Sequence, residues 1–359
     1  MKAGMFLLIT ACAGTPTVAT TVTSTTVPST TVPSTTGAPP ATTTATIATP
    51  QGLFSEGVDQ SPVVTAPAGS ASYLSPIGVV DVDGTRYLAV SGFDDDASVR
   101  GISFFEETES AWTMAAGPIA LDLDLEEPGP IGSSLVRGAD GTWFLYGWGS
   151  PPGEPESSIV WLATAPDLFR EWTVHTEPVL VKGGTGEWDD EGVLFPSVVA
   201  TDEGFTMLYD GFGSLDGDHV GLAHSADGVR WEKYNDLTTE GVFEESDPVF
   251  GPDPDGDFDA RSVQVGRLVA TPANWVLVYM GIPPGRGPSR VGVATSPDLV
   301  NWDRQGEGLR ESDIPQENAG LHTIEVAYND GQLELYVEVL TDLDSAVWRA
   351  RAPIEVVTG

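Results

Sequence analysis

The sequence predicts an all-β protein, a five-bladed β-propeller with four-stranded blades that follows a disordered Thr/Pro-rich tether. Three observations predict this fold. First, after about residue 52 the chain consists of short apolar alternations interrupted by Asp-Gly, Gly and Pro turns. Second, one strand module recurs there at a spacing of tens of residues. Third, the residues before position 52 lack the side chains that build a core. The predicted parts are a signal segment (1–12), a linker (13–52) and the propeller (53–359).

The N-terminal residues resemble the signal segment of a bacterial lipoprotein. Lys2 gives a positive start, residues 5–9 form a short apolar run, and Ile9-Thr10-Ala11-Cys12 has the pattern of the site at which such precursors are cleaved and acylated. Cys12 is the only cysteine, which rules out an intramolecular disulfide. We expect lipidation at Cys12 and a location on the extracellular face of a bacterial membrane, or secretion. The alternative is a chance cysteine near an ordinary N-terminus.

The linker that follows has a strongly biased composition. Residues 13–50 are almost entirely Thr, Pro, Ser, Ala, Val and Gly, and the motif Thr-Thr-Val-Pro-Ser occurs at 25–29 and again at 30–34. Uncharged, Pro-rich tracts bury too little apolar surface to fold and stay extended. We expect the linker to hold the folded domain away from the membrane, so that the lipid is the only membrane contact.

A first repeat consists of a strand, a short turn with an Asp, and a tryptophan. It occurs at 159–172, 220–231 and 291–302. Its tryptophans recur about 60 to 70 residues apart, as expected for one radial unit per repeat. We predict these recurring tryptophans as core residues; they are Trp112, Trp172, Trp231 and Trp302.

A second repeat precedes each of these modules and predicts a hairpin. The five copies are Gly78–Val90, Ser133–Tyr146, Pro196–Tyr209, Arg267–Tyr279 and Thr323–Tyr336. Each copy is followed by a further strand pair, so the sequence predicts five units of four strands, closed radially without a long open edge. Residues 61–67 are a candidate for the strand that closes the ring. The alternative architecture is a pair of stacked sandwiches.

The charge balance excludes some partners. The chain has 16 basic and 53 acidic residues and a net charge of −37. Nucleic acid and anionic lipid surfaces are therefore not expected partners, because like charges repel them. Most of the acidic residues are expected on a solvated surface, and we expect a monomer.

The motifs around the third module resemble a known family. They are Pro178-Val179-Leu180, Gly186-Glu187-Trp188-Asp189, Phe195-Pro196-Ser197-Val198, Leu208-Tyr209-Asp210-Gly211, and the run from Val220 to Lys233. This block resembles the five-bladed glycoside hydrolase propellers of the arabinanase, xylosidase, fructosidase and mannoside-phosphorylase type. The resemblance covers about residues 70–355.

The resemblance implies an active site in a funnel at the propeller axis. In such propellers the funnel is lined by the first residues of each inner strand, carries Asp and Glu side chains, and binds an oligo- or polysaccharide. At the aligned positions this chain has residues that are not acidic: Ser75, Gly132, Phe195, Val265 and His322.

Carboxylates occur just before the inner strands of blades three and four. Trp188-Asp189-Asp190-Glu191 and Phe258-Asp259-Ala260-Arg261 stand in the same register of the repeat. We predict Asp189, Glu191 and Asp259 as catalytic, because glycosidic cleavage needs one carboxyl to protonate the leaving oxygen and another to activate water or attack carbon. The alternative is that each aromatic-Asp pair is a structural part of the blade, with the Asp capping a turn and the ring packed between blades.

Further side chains are predicted to bind substrate. Trp148 and Trp188 are expected in loops, where exposed indoles stack on sugar rings. The remaining predicted substrate-binding residues are Ser75, Arg261, Arg267 and His322.

No cofactor is predicted. Residues Asp253–Asp259 alternate carboxylates as a calcium loop does, but the other ligands of an EF-hand are missing, so a solvated acidic loop is the alternative. The sequence has no Gly-rich phosphate loop and no metalloprotease helix motif.

Two functions remain open from the sequence, besides a purely structural role in the cell envelope. The first is hydrolysis of glycosidic bonds in extracellular carbohydrate. The second is a non-catalytic propeller that binds glycan or another surface partner. Two carboxylates converging in an aromatic-walled funnel favour the first, whereas a funnel lined by Ser75, Phe195 and Val265 favours the second.

Overall fold

The computed structural model describes residues 44–46, 52–65, 73–93, 100–109, 111–125, 133–154, 157–272, 274–285, 287–341 and 345–357. The predicted signal segment with Cys12, nearly all of the predicted linker, and Gly132 lie outside these residues.

The described strands form five propeller blades. Two short strands, β1 (Thr44–Thr46) and β2 (Val64–Thr65), precede the first blade. Blade one consists of β3 (Tyr73–Val82), β4 (Thr85–Phe93), β5 (Arg100–Glu107) and β6 (Trp112–Ile119). Blade two consists of β7 (Ser134–Arg137), β8 (Trp143–Gly149), β9 (Ile159–Ala165) and β10 (Thr173–Val174).

The remaining blades follow the same pattern. Blade three consists of β11 (Gly192–Thr201), β12 (Gly204–Phe212), β13 (His219–Ser225) and β14 (Glu232–Lys233), with β15 (Pro248–Phe250) paired to β13. Blade four consists of β16 (Ser262–Ala270), β17 (Trp275–Ile282), β18 (Arg290–Ser296) and β19 (Asp303–Leu309). Blade five contains β20 (Gly320–Asn329), β21 (Gln332–Leu340) and β22 (Ser345–Pro353), after which comes β23 (Glu355–Val357). Short 3₁₀ helices lie at Ser55–Gly57, Gly241–Phe243 and Glu311–Asp313.

The paired strands are antiparallel, within each blade mostly between consecutive strands, and the five predicted hairpins are confirmed. The turn chemistry explains two of them. Asp83 and Gly84 have φ of 52° and 82°, and Asp330 and Gly331 have φ of 47° and 80°. Positive φ at both central residues is what a two-residue hairpin turn requires, and Asp-Gly adopts it readily.

An N-terminal strand closes the ring. β2 pairs with β22 as the fourth strand of blade five, with Val64 opposite Val347. The backbone N–H of Asp59 donates to the carbonyl of Arg349 at 2.9 Å, and Phe54 is fully buried in the core of the last blades. The prediction that residues 61–67 supply this strand is confirmed for Val64–Thr65.

The first strands of the five blades contact one another in cyclic order and surround the axis. Four of them have an irregularity in their pairing near the start of the strand. It lies between Pro76 and Gly78 in β3, Leu194 and Ser197 in β11, Val265 and Arg267 in β16, and Leu321 and Ile324 in β20. A bulge at this place turns side chains toward the axis that a regular strand would direct into the sheet packing.

The apolar core lies between neighbouring blades. Of the four recurring tryptophans, Trp112 and Trp172 are buried and Trp231 and Trp302 are half-buried. In the part of the chain that the structure describes, no helix has the length and apolarity needed to cross a bilayer.

Candidate functional site

A small pocket of about 70 Å³ lies where the five first strands meet. Each blade contributes residues from the start of its inner strand, and blade four adds Met280 from β17. The lining residues are Ser75, Pro76, Ile77, Ser133, Phe195, Gln264, Val265, Arg267, Met280, His322, Thr323 and Ile324. The structure thus brings together four of the aligned funnel positions, whereas none of the predicted catalytic carboxylates lies in this lining.

The side chain of Glu338, in the middle of β21, organises one wall of the pocket. It is fully buried, and both of its oxygens accept hydrogen bonds. The donors are the backbone N–H of Leu74 (2.8 Å) and the Ser345 hydroxyl (2.9 Å) to Oε1, and the Ser75 hydroxyl (3.0 Å), the Thr323 hydroxyl (2.8 Å) and His322 Nδ1 (2.8 Å) to Oε2. Glu338 therefore connects blade five to blade one.

The same contacts determine the protonation of the pair. Burial by itself would raise the pKa of Glu338, but the charge of His322 and the hydrogen bonds from His322, Thr323 and the Leu74 N–H lower that pKa to about 2. Burial would lower the pKa of His322, but the Glu338 carboxylate outweighs it and raises that pKa above its ordinary value. Glu338 is thus an ionised carboxylate, and His322 is held in its protonated form to a higher pH than a free histidine.

Arg267 is a buried charged residue of the pocket lining. Its Nε lies 2.6 Å from Oε2 of Glu325, which is buried beside it. Nη1 donates to the carbonyl of Gly266 at 2.7 Å, and Nη2 donates to the carbonyl of Pro76, across the axis in blade one, at 3.3 Å. Burial raises the pKa of Glu325 despite the attraction of Arg267.

Phe195 supplies an aromatic ring to the lining, and Trp148, which is not part of the lining, packs against that ring. The rings of Trp148 and Phe195 lie 5.0 Å apart, centroid to centroid. Phe195 has φ of 44°, a left-handed backbone conformation that is strained for a bulky side chain and that occurs preferentially at functional sites. Trp148 is half-buried in β8, so its predicted position in a loop is wrong, because the strand extends through it to Gly149.

The prediction of an exposed Trp188 is wrong. Its ring is fully buried, stacks on Tyr209 with 6.0 Å between centroids, and donates from Nε1 to the Ser246 hydroxyl at 3.0 Å. Gly211 makes room for it, since a Cβ there would lie 2.3 Å from the ring. Trp188 is therefore a packing residue of blade three.

Asp189 lies beneath Trp188 and is fully buried. Its Oδ2 is 2.6 Å from Lys233 Nζ and 3.5 Å from the hydroxyl of Tyr209, while Oδ1 accepts the backbone N–H of Gly183 at 3.1 Å. All of these partners belong to blade three or to the segment that enters it. Asp189 does not contact the axial pocket.

Asp259 has the same environment in blade four. Its Oδ2 accepts the hydroxyl of Tyr279 at 2.8 Å and lies 3.0 Å from Nε of Arg304. The ring of Phe258 stacks on Tyr279, as Trp188 stacks on Tyr209. This placement agrees with the structural alternative for the aromatic-Asp pairs and gives no support to their catalytic assignment.

The side chains of Glu191 and Arg261 are exposed and lie outside the lining of the axial pocket. Their backbone N–H groups donate to the carbonyls of Phe212 and Ile282, which fixes the start of each inner strand. They occupy corresponding places in blades three and four.

Two buried carboxyls near the axis were not predicted from the sequence, in addition to Glu338. Glu325 is one, and Asp210 is the other. Asp210 Oδ1 accepts the backbone N–H of Val265 at 2.6 Å, and burial raises its pKa well above the ordinary value. A charged residue inside an apolar run, as in Val337-Glu338-Val339, was the available signal.

Metal binding finds no geometric support within the described ranges, where no group of three or more His, Cys, Asp or Glu side chains is arranged to hold a metal ion. In the acidic stretch, Asp253 accepts the backbone N–H groups of Asp255 and Gly256, and Asp259 is engaged with Tyr279 and Arg304.

Known proteins resemble this chain in three-dimensional structure and not detectably in sequence. No family model and no curated protein matches the sequence. One similar solved structure belongs to the GH130 family of mannoside phosphorylases and is described as a glycoside hydrolase that targets β-1,2 mannosidic linkages in Candida mannan. It superposes with a TM-score of 0.62 at 18% identity, and the match covers 88% of this chain and 97% of the hydrolase. A glycosyl hydrolase from Bacteroides ovatus gives 0.57 at 16% identity, covering 84% and 94%.

A third similar structure has another activity. An N-acetylgalactosamine deacetylase from F. plautii, in complex with blood group B trisaccharide, superposes with a TM-score of 0.55 at 15% identity, covering 83% of this chain and 94% of that one. The chain therefore has the five-bladed propeller fold of glycoside hydrolase-like proteins, as predicted. Because enzymes of different activity share this fold, the fold alone does not assign a reaction.

Proposed function

We propose that this protein is a carbohydrate-binding propeller that holds a sugar residue at the axial pocket without cleaving its glycosidic bonds. The observation that carries the proposal is the composition of the lining. Among the described residues, the pocket is lined by hydroxyl, amide, imidazole, guanidinium and apolar groups, and by neither Asp nor Glu.

Glycoside hydrolysis requires a pair of carboxyl groups that flank the bond to be broken. Glu338, a buried carboxylate bonded to three lining residues, accepts five hydrogen bonds and has a pKa of about 2, so it holds no proton to give to a leaving group at neutral pH. Glu325 and Asp210, whose pKa values burial raises, lie outside the lining of the pocket, and Asp189 is engaged within its blade. The hydrolytic alternative is therefore the weaker of the two.

Sugar binding matches the groups that are present. The Phe195 ring, against which Trp148 packs, gives an aromatic surface for the apolar face of a sugar ring. Gln264, His322 and Arg267 offer hydrogen-bonding groups at fixed positions, since each is held by a second side chain. The solved structures with this fold that act on carbohydrate support the same ligand class.

We also propose that the propeller is displayed on the cell envelope by a lipid on Cys12. The lipoprotein-like pattern at 9–12 and the Thr/Pro-rich composition of 13–50 support this location. A surface-held binding protein keeps a captured glycan close to the cell.

The test is a glycan-array screen followed by calorimetry with the best oligosaccharide. Wild type is compared with Phe195→Ala and Gln264→Ala, which alter the pocket, and with Glu191→Gln, which changes an exposed residue outside it. We expect binding that both pocket variants weaken at least tenfold and that the control leaves unchanged, with no new reducing ends after long incubation. Release of sugar from any oligosaccharide by the wild type, abolished in the pocket variants, would establish hydrolysis instead.

A further inference from the structure

The axial pocket presents cationic groups and places their carboxylate partners behind them. His322 and Arg267 belong to the lining, whereas Glu338 and Glu325 do not. Each ion pair therefore directs its positive end at the pocket. This arrangement stands out in a chain with a net charge of −37.

We propose that the pocket selects an acidic sugar residue and binds it through its carboxylate, with His322 and Arg267 as the recognition groups. This inference rests on the proposed function and specifies its ligand class.

His322 is available to a ligand on one side only. Nδ1 is occupied by Glu338 at 2.8 Å, while the side chain remains 44% exposed. In the protonated ring Nε2 is a second donor with a positive charge. The group positioned for the ligand is thus a charged donor held in one orientation by a buried carboxylate.

Arg267 offers the second donor. Its three nitrogens make one hydrogen bond each, to Glu325, Gly266 and Pro76. A guanidinium has five N–H groups, so two remain beyond these bonds. Since the side chain is rigidly held by these bonds, it loses little conformational freedom when a ligand binds.

The balance of donors and acceptors distinguishes a carboxylate from a hydroxyl. A neutral sugar hydroxyl both donates and accepts, and it is best matched by a lining that contains carboxylates. The hydroxyls of Ser75 and Thr323 donate their hydrogens to Glu338 and are left as acceptors, and Gln264 Nε2 donates to Asp218 at 3.3 Å, so these neutral groups match the hydroxyls of a sugar. The groups that carry charge at the pocket are donors only, which suits an acceptor-only ligand group.

The size of the pocket agrees with this ligand. A volume of about 70 Å³ is far below the roughly 300–1,000 Å³ of pockets that enclose a whole ligand. It accommodates a protruding group rather than a sugar ring. A carboxylate at the edge of a ring fits such a recess, while the ring itself lies against Phe195.

The charge of His322 gives the inference a pH dependence. The titratable groups against it are Glu338 on β21 and the Tyr73 ring on β3, whose centroid is 6.2 Å away. Glu338 stays ionised, and it raises the pKa of His322 above the ordinary value. Carboxylate binding should be strongest below that pKa and weaken as pH rises through it, because the positive charge is then lost.

The experiment is calorimetry with an oligogalacturonate and with its carboxyl-reduced, neutral counterpart, on wild type, His322→Gln and a control, His224→Gln. His224 lies outside the axial pocket, in a groove formed by blades three and four. We expect the acidic oligosaccharide to bind at least tenfold more tightly, His322→Gln to remove most of this preference, and His224→Gln to retain it. Thermal unfolding of each variant checks folding, and the pH series on the wild type needs no substitution.

The failures can be told apart. Equal affinity for the acidic and the neutral oligosaccharide overturns the inference but leaves the proposed function standing. Absence of binding to either, with no hit on an array of neutral and acidic glycans, overturns the proposed function. Inorganic phosphate that binds as tightly as the acidic oligosaccharide also overturns the inference, because the sugar then contributes nothing.

Discussion

Asp189 of blade three and Asp259 of blade four occupy the same place in consecutive blades. Each is buried beneath an aromatic ring, accepts a tyrosine hydroxyl, and forms an ion pair with a cation on the fourth strand of its own blade. Replacing Asp189 by asparagine leaves Lys233 without a negatively charged partner, and replacing Asp259 does the same to Arg304.

We expect Asp189→Asn and Asp259→Asn each to lower the free energy of unfolding by about 3 kcal/mol, the size of effect seen when a buried ion pair loses one partner. Urea unfolding measures this. Glu191→Gln, at an exposed position, should change stability by less than about 0.5 kcal/mol. A variant with wild-type stability but altered glycan binding or turnover would restore the catalytic assignment of these carboxylates.

Glu338 should be a determinant of stability as well as of pocket shape. Its pKa of about 2, against the ordinary 4.5, corresponds to a contribution of about 3 kcal/mol at neutral pH that Glu338→Gln removes. Glu317→Gln on an exposed loop is the matched control. Equal urea midpoints for Glu338→Gln and wild type at pH 7 would contradict the hydrogen-bonding role described for this carboxylate.

The lowered pKa of Glu338 also predicts how the stability of the protein depends on pH. Because folding lowers the pKa of Glu338, its contribution is present above the ordinary pKa and is lost as pH falls toward 2. The stability difference between wild type and Glu338→Gln should therefore shrink by about 2 kcal/mol between pH 5 and pH 3. Other carboxylates titrate in both proteins and cancel in this difference. A constant difference across that range would show that folding does not shift this pKa.

Strand β2, which closes the ring by pairing with β22, is predicted to be needed for the stability of the fold. Val64 in β2 is buried against blade five, so Val64→Asp places a charge in the seam between the first and last strands. We expect a loss of at least about 3 kcal/mol in thermal or urea unfolding. Val181→Asp, at an exposed valine, should be tolerated. Similar stabilities for the two variants would mean that β2 is dispensable.

The envelope location makes a separate prediction. In a bacterial host that processes lipoproteins, the full chain should be recovered in the membrane fraction and labelled by a fatty-acid analogue, whereas Cys12→Ser should lose the label. Thr17→Ser, in the same tract, should behave as the wild type. Labelling that persists in Cys12→Ser would rule out acylation at this cysteine.

The blade count was predictable from the sequence, but most of the axial chemistry was not. Alternating apolar residues and Asp-Gly turns such as Asp83-Gly84 are local signals, and they repeat often enough to define five hairpins. Glu338 obtains its role from Leu74 and Ser75, which are 264 and 263 positions away and approach only when the ring closes. No pattern near Glu338 in the sequence indicates those partners.

The inner-strand bulges escaped prediction for a related reason. No single residue type marks the four irregularities, since two contain a proline, Pro76 or Pro196, a third contains Gly266, and the fourth contains neither. Trp188 was expected in a loop and is indeed outside a strand, but the space above Gly211 buries it. Whether an aromatic residue in a connection is exposed depends on such space, which the local sequence does not report.

The seam between β2 and β22 has a consequence for biosynthesis. Asp59 and Arg349 are 290 positions apart and meet in this seam, so the ring cannot close until the last blade has been synthesised. Until then, a nascent chain exposes the unpaired edge of its newest blade, which is a template for aggregation. The chain is therefore most prone to aggregation while its last blade is still missing.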